Sequence, residues 1–288
     1  HTDTPLWFTR GAFSLGWRKS NQVSIQKMEE GYLDSQFLAA FLAQKELDAE
    51  SSQKAVEKCQ KMLEGIFADV EKYKDYCGIA LTEEDARRLK AEGKKAFFLG
   101  IENGYGIGKD IKNIKKYKDM GVQYMTLCHS YDNDICNSSS NTADASKGLT
   151  PFGRKVVKEM NKVGMLIDIS HASEGTFWDA IKYSKDPIFA SHSSVKALCD
   201  HDRNLTDEQL REGVYTGVVI RHGVRAGEAD NVGGVAEEPV HHHRGGVLIQ
   251  AGDRGEAVPV HGKGGVEDGV LCELGLEPHL VACHEDCD

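Results

Sequence analysis

Nothing in this 288-residue sequence approaches the unbroken apolar run of about eighteen residues that a membrane-spanning helix needs. A basic excess is missing too. The 45 acidic side chains outnumber 35 lysines and arginines, leaving a net charge of -10. That balance argues against a nucleic-acid groove, which needs a basic face, but permits a local cationic pocket. The eight cysteines follow no regular disulfide framework. Cys59, Cys77, Cys128, Cys136 and Cys199 are scattered, several in apolar runs, so free and mostly buried thiols of a reducing compartment are expected. This favours the cytoplasm, although the chain opens at His1 without an initiator methionine and a signal peptide could have preceded it. What is present is ordinary: 40% hydrophobic and 28% charged residues, enough to bury the core of one large α/β domain or two small ones.

A second set of absences divides the chain. From Gly213 to Asp288 there is no Ser, Phe, Trp or Met and one Lys, yet 15 of the 30 glycines and 7 of the 12 histidines lie there. Hydrophobic periodicity fades in the same segment. It reads either as a poorly ordered Gly-rich tail or as the product of a shift of reading frame near residue 213. The division expected is therefore 1–212 and 213–288. His241 to His243 and the "CHEDC" run from Cys283 to Cys287 could bind metal adventitiously, as such tracts do.

Before Gly213 the periodicity is strong. "QFLAAFL" (36–42) reads as a strand. A helix follows with Val56, Cys59, Leu63, Ile66, Phe67 and Val70 on one face. "KKAFFLGIENG" (94–104) is a strand breaking into a loop; a helix from about Lys109 to Met120 leads to a strand at 122–130. Residues 131–148 form a long polar loop, a length that often carries function. Thr150 and Pro151 open a helix that Gly164 closes. "MLIDIS", a helix capped by Ser173, "PIFAS" and a capping box at Thr206 and Gln209 follow. Strand, loop and helix in repetition predict a parallel sheet covered by helices.

Four strands or strand-like segments end in groups that bind metal. His1 and Asp3 form an H-x-D pair whose side chains share one side of an extended chain. Glu102, His171 and His192 each follow an apolar run. Any one of these histidines alone reads more readily as a hydrogen-bonded loop residue than as a ligand. Together, three imidazoles and two carboxylates at strand ends are what the C-terminal mouth of a barrel would gather, and such N and O donors suit zinc. Five ligands with one shared carboxylate suffice for two ions with a position left for water. Asp168, inside a buried run, either orients a ligand histidine or makes a structural hydrogen bond; the second is favoured.

The runs "HTDTP", "GYLDSQFLAAFLAQ", "GIENGYGIG", "YMTLCHSYDNDICNSS", "GLTPFGRKVVKEMNKVGMLIDISHAS" and "PIFASHSSVKALCDHDRNLTDEQL" resemble the membrane dipeptidase (renal dipeptidase) family of zinc peptidases, in its bacterial form. They cover residues 1 to about 212 in the family's order. The resemblance implies a (β/α)8 TIM barrel of the metal-dependent hydrolase type and zinc-dependent hydrolysis of dipeptides at a binuclear site with a bridging hydroxide. It implies that His1 and Asp3 hold one zinc, that His171 and His192 hold the other, and that Glu102 bridges them. His129 matches a histidine that contacts substrate and helps stabilise the tetrahedral intermediate. Arg203 matches the arginine that holds the substrate's terminal carboxylate. The implied cofactor is two Zn2+ ions and the implied partner a dipeptide, with no nucleic acid; a homodimer is compatible with it.

Departures from the family accompany the change of composition. The family continues with two more barrel strands, the last ending in an Asp-Phe-Asp-Gly-type motif that has no counterpart here. "YTGVVI" (215–220) is a candidate remnant of the seventh strand, and the strand expected before His1 is absent. The barrel is thus expected to be incomplete at both ends, and the chain as it stands unstable or inactive. Two competing readings follow: a non-catalytic fragment or pseudoenzyme, and another binuclear hydrolase acting on lactones or phosphoesters. The latter group commonly has H-x-H in place of H-x-D, and often a bridging modified lysine in place of Glu102. The coding DNA tests the frame reading. Beyond codon 213, one of the other two frames should encode a helix and strand continuation, and its absence from both removes the idea.

Overall fold

Alternation along single strands decides which side chains meet helices and which meet each other. In β3 (Lys95–Glu102), Phe97, Leu99 and Ile101 enter the main core, while Phe98, Gly100 and Glu102 share the opposite face. β1 (Ser35–Phe41) repeats the pattern, with Leu38 and Ala40 on the core side and Phe37 on the other. The computed structural model describes residues 1–10, 14–16, 21–216 and 219–220.

Within those residues the remaining strands are β2 (Cys77–Ile79), β4 (Val122–Thr126), β5 (Leu166–Asp168), β6 (Ile188–Ala190) and β7 (Val219–Ile220). All pair in parallel, in the order β1-β3-β4-β5-β6-β7. β2 pairs with the first residues of β3, and β4 with its last, across a register shift at Leu99 and Gly100. Thr2 bridges to Leu38, which places the chain start against the free edge of β1. Parallel neighbours met in chain order, with helices between, are the staves of a (β/α) barrel, the class expected; the described residues form an arc of one. Inside the arc Phe37 stacks on Phe98, with ring centroids 5.1 Å apart. Tyr124 packs edge-on against Phe37 at 5.3 Å and Phe189 at 5.4 Å.

Among the described residues seven α-helices accompany the sheet: α1 (Ile25–Glu30), α2 (Ala49–Lys72), α3 (Glu83–Ala91), α4 (Lys112–Asp119), α5 (Pro151–Val163), α6 (Glu174–Tyr183) and α7 (Asp207–Thr216). α2 buries Ala55, Cys59, Met62, Leu63, Ile66 and Val70 at helical spacing. α5 is capped as its sequence requires: Gly153 N–H donates to Thr150 Oγ1, Pro151 occupies the first turn, and Gly164 is left-handed at φ 70°. Ser173 caps α6, and Thr206 with Gln209 forms the reciprocal box before α7. Each cap is worth about 1 kcal/mol.

Some expectations shift. The strand expected at 122–130 ends at Thr126, because its final residues turn into the loop that carries His129. The start of "YTGVVI" is helical, leaving Val219 and Ile220 as strand beside Phe189 and Ala190. α1, β2 and α3 were not anticipated. β2 is three residues around a glycine, too short to show a period, whereas α3 carries a legible capping box between Thr82 and Asp85. Cys59, Cys77, Cys128 and Cys136 are buried free thiols and Cys199 is a partly exposed one. No described helix is long and apolar enough to cross a membrane. The expected tail beyond 220, with His241 to His243 and Cys283 to Cys287, lies outside the described residues.

Gly153 shows how closely α5 sits on the preceding loop: a Cβ there would lie 2.0 Å from the Ile135 carbonyl oxygen. Backbone cannot yield as a side-chain tip can. Gly153→Ala should therefore destabilise the fold by about 1–3 kcal/mol despite better helix propensity. Chemical denaturation measures it, and an unchanged midpoint refutes the tight contact.

Candidate metal centre

Glu102 ends β3 on the interior face, buried, and four histidines surround it. Its Oε2 lies 3.2 Å from His1 Nε2. Its Oε1 lies 3.3 Å from His171 Nε2, 3.2 Å from His192 Nε2 and 3.9 Å from His129 Nε2. Asp3 Oδ1 is 3.4 Å from His1 Nε2, and the two ring Nε2 atoms of His171 and His192 are 2.8 Å apart. The other four expected ligands and His129 thus gather around the Glu102 carboxylate, Asp3 by way of His1. Arg203 stands at the rim, where its Nη2 donates to the His192 carbonyl oxygen at 3.5 Å.

Each position has a local cause. Thr2 N–H donates to the Phe37 carbonyl and Ala39 N–H to the Thr2 carbonyl, both at 3.0 Å, so β1 aligns the segment bearing His1 and Asp3. His171 is left-handed at φ 65°, which turns the chain abruptly after β5. Such a conformation costs a non-glycine residue about 1–3 kcal/mol and persists only when its surroundings over-determine it. Here Ser139 N–H donates to the His171 carbonyl at 2.8 Å and Cys128 Sγ at 3.5 Å. The loop at 131–148 that supplies Ser139 is itself tied by side chains. Asp132 accepts from Ser138 N and Asn137 Nδ2 at 2.8 Å, and from Asn141 Nδ2 at 2.6 Å. Asn133 accepts from Ile135 N and Cys136 N and donates to the Leu127 carbonyl. Asn103, left-handed at φ 77°, accepts from Asn133 Nδ2 and donates to the Leu42 carbonyl, joining the ends of β1, β3 and β4.

The chemistry of the donor set fits metal. Tetrahedral zinc with bonds near 2.0–2.2 Å holds its ligand atoms about 3.3–3.5 Å apart. The His171, His192 and Glu102 Oε1 atoms are separated by 2.8–3.3 Å. His1 lies 3.2 Å from Glu102 Oε2 and 3.4 Å from Asp3. Other selections are also compact: His1, Glu102 and His192, and likewise Glu102, His129 and His171, offer ligand atoms within 4.8 Å of one another. Two buried atoms, Glu102 Oε2 and His171 Nδ1, make no well-aligned hydrogen bond among the described residues.

Charge points the same way. Burial opposes ionisation of Glu102, but the imidazoles of His1, His171 and His192 outweigh it and hold the carboxyl well below its ordinary range. Burial likewise opposes a charge on His1, yet Glu102, Asp3 and Asp168 raise its pKa to about 9. Burial and the nearby Glu102 charge push Asp3 up to about 7. His171 is pushed down to about 3, chiefly by burial, which leaves the neutral imidazole that a ligand must be. The pocket is an electronegative space arranged to receive positive charge.

Residues not singled out from sequence support this ring. Tyr124 Oη is 2.8 Å from His1 Nδ1, and Tyr124 fits because Gly100 has no side chain; a Cβ there would lie 2.2 Å from the Tyr124 ring. Ser130 Oγ lies 2.9 Å from His129 Nδ1 and Ser191 Oγ 2.7 Å from His192 Nδ1. The signal available was the dipeptide Ser-His ending both β5 and β6, at 170–171 and 191–192. Asp168 is fully buried and accepts four hydrogen bonds, from Thr126 Oγ1 and Ser191 Oγ at 2.6 Å and from the Ser170 and Ser191 N–H groups at 3.0 Å. It touches no histidine ring by a hydrogen bond and reaches His192 through Ser191.

The model of the family described as Membrane dipeptidase (Peptidase family M19) matches residues 1–224. The chain is 37% identical over 141 residues to Dipeptidase tcpJ of Claviceps purpurea (strain 20.1), covering 49% of this chain and 33% of that protein. It is 27% identical over 222 residues to Dipeptidase verJ of Clonostachys rogersoniana, covering 73% and 57%. The crystal structure of the probable dipeptidase PvdM from Pseudomonas aeruginosa superimposes with a TM-score of 0.68 at 28% identity, covering 75% of this chain and 57% of that one. The chain thus spans between one third and three fifths of the length of these relatives.

Asp168→Ala would strand four buried donors at once. It should cost at least about 3 kcal/mol. Thermal or denaturant unfolding measures this, and a loss under 1 kcal/mol would show that water replaces the carboxylate.

Proposed function

Because the chain belongs to the membrane dipeptidase family, Peptidase family M19, we propose that the centre around Glu102 binds two zinc ions and hydrolyses the peptide bond of dipeptides. The observation that carries this is the division of one buried carboxylate: Glu102 turns Oε2 to His1 and Oε1 to His171 and His192. A carboxylate so shared is a bridge. His1 and Asp3 complete one ligand set and His171 and His192 the other. Zinc bound there would supply an acidified water and a Lewis acid for the scissile carbonyl.

The remaining work falls to side chains at the rim. His129, half-buried against Phe41 at 4.7 Å between ring centroids, is placed to donate toward charge developing on the substrate's carbonyl oxygen. Arg203 clamps the free carboxylate of the dipeptide, a task for which its planar fork is suited. A clamp at fixed distance from the metals measures the substrate: a longer peptide puts its carboxylate out of reach. Free buried thiols support a reducing compartment as the place of action.

Metal analysis of the zinc-loaded chain tests the reading. Two ions per chain are expected, falling to one or none in Glu102→Gln. An unsubstituted chain that takes up no zinc overturns it. Arg203→Ala should raise KM for a dipeptide by about tenfold or more, consistent with loss of a charge-assisted pair. The same variant should erase discrimination against the dipeptide amide.

A further inference from the structure

The hydrogen bonds beneath β5 and β6 can be assigned donor by donor. Asp168, ionised, can only accept. Its Oδ1 takes the Ser170 and Ser191 backbone N–H groups at 3.0 Å, and its Oδ2 takes Thr126 Oγ1 and Ser191 Oγ at 2.6 Å. Ser191 therefore spends its single hydroxyl proton on Asp168. Two lone pairs remain on Ser191 Oγ, and two groups face them: His192 Nδ1 at 2.7 Å and Ser170 Oγ at 3.3 Å. Ser170 Oγ in turn accepts from His192 N–H at 3.0 Å and keeps its own proton free to donate to Ser191. With Ser191 able only to accept on that side, His192 Nδ1 must carry a proton. A neutral imidazole has one N–H, so Nε2 is left bare. That bare nitrogen is the atom that stands 3.2 Å from Glu102 Oε1.

We propose that Ser191 is a positioning residue that holds His192 in the Nδ1–H tautomer, anchored by Asp168, and so presents Nε2 as a ready metal ligand. The inference rests on the reading of His192 as a zinc ligand in the centre described above. His171 provides the contrast within the same protein. Its Nδ1 is buried and makes no hydrogen bond among the described residues, while its Nε2 faces the bare His192 Nε2 at 2.8 Å and Glu102 Oε1 at 3.3 Å, two acceptors that hold its proton on the nitrogen a metal would need. The two histidines offered to one ion are therefore unequal: His192 is set before metal arrives, while His171 is not. Asp168 binds both the Ser170 and the Ser191 backbone, which also locks the register in which the two Ser-His ends lie side by side.

The test reads the tautomer directly, in the metal-free full chain labelled with 15N at histidine. Long-range proton–nitrogen correlations, assigned with His192→Gln, should show His192 protonated at Nδ1 and bare at Nε2. Ser191→Ala should give a mixture of tautomers and weaken zinc binding about ten- to a hundredfold, the usual effect of removing a ligand's outer partner. Ser191→Thr, which keeps the hydroxyl, should restore both, and a packing role alone would move neither the tautomer nor its rescue. A proton on His192 Nε2 in the unsubstituted chain overturns the proposal, even should Ser191→Ala fail to fold. So does a Ser191→Ala chain with unchanged tautomer and unchanged zinc affinity. A chain with the Nδ1–H tautomer that binds no zinc supports the hydroxyl's control of the ring and overturns the zinc reading instead.

Discussion

A carboxylate buried at the end of a strand is the constraint around which this protein is arranged. Glu102 could not remain ionised in that position without neighbours, since an isolated buried charge costs several kcal/mol even after relaxation. His1, its pKa raised to about 9, leads the compensation, and the imidazoles of His171, His192 and His129 complete the ring around the two oxygens. They come from the chain start, the loop after β4, and the ends of β5 and β6. No pair is adjacent in sequence. The compensation therefore exists only when the staves are assembled in parallel, and the charge of Glu102 is in that sense a condition on the whole fold.

The parallel sheet meets the condition by giving every strand the same direction. Side chains at corresponding ends must then emerge at one mouth. Below it Phe37, Phe98, Tyr124 and Phe189 pack ring against ring, an aromatic floor beneath the histidines. Gly100 is the gap in β3 that admits the Tyr124 ring, and through it the hydroxyl beside His1. Packing and chemistry share residues here.

A second buried carboxylate, Asp168, is compensated differently. It has no opposite charge within hydrogen-bond reach and is held below its ordinary pKa despite burial, by the nearby His192 ring and by hydroxyl and amide donors. The two carboxylates divide the labour between the candidate metal position and the scaffold. Glu102 leaves capacity open toward a cation, whereas Asp168 has its lone pairs filled by four donors from three strands. That difference in satisfaction, rather than depth, separates a ligand from a brace.

Much of this was legible before folding. The helix caps at Thr150, Ser173 and Thr206 are local devices, complete within a few residues, and the sheet's main strands announce themselves by alternation. The proposed metal-binding set could be picked out because Glu102, His171 and His192 each follow an apolar run and His1 and Asp3 share one side of an extended chain, and parallel staves bring such ends together. Some features lay beyond that reasoning. β2 is too short to carry a period, and the turn after Thr126 depends on tertiary bonds of the loop. Tyr124 and Ser191 became visible only once β4 and β6 stood beside their partners. The sequence by itself determined which side chains could bind a cation and at which end of the strands they lie, because strand direction and residue type are local properties. Only the tertiary structure decided which oxygen of Glu102 faces which histidine, and which ring nitrogen each hydroxyl holds, because these follow from contacts between residues dozens of positions apart.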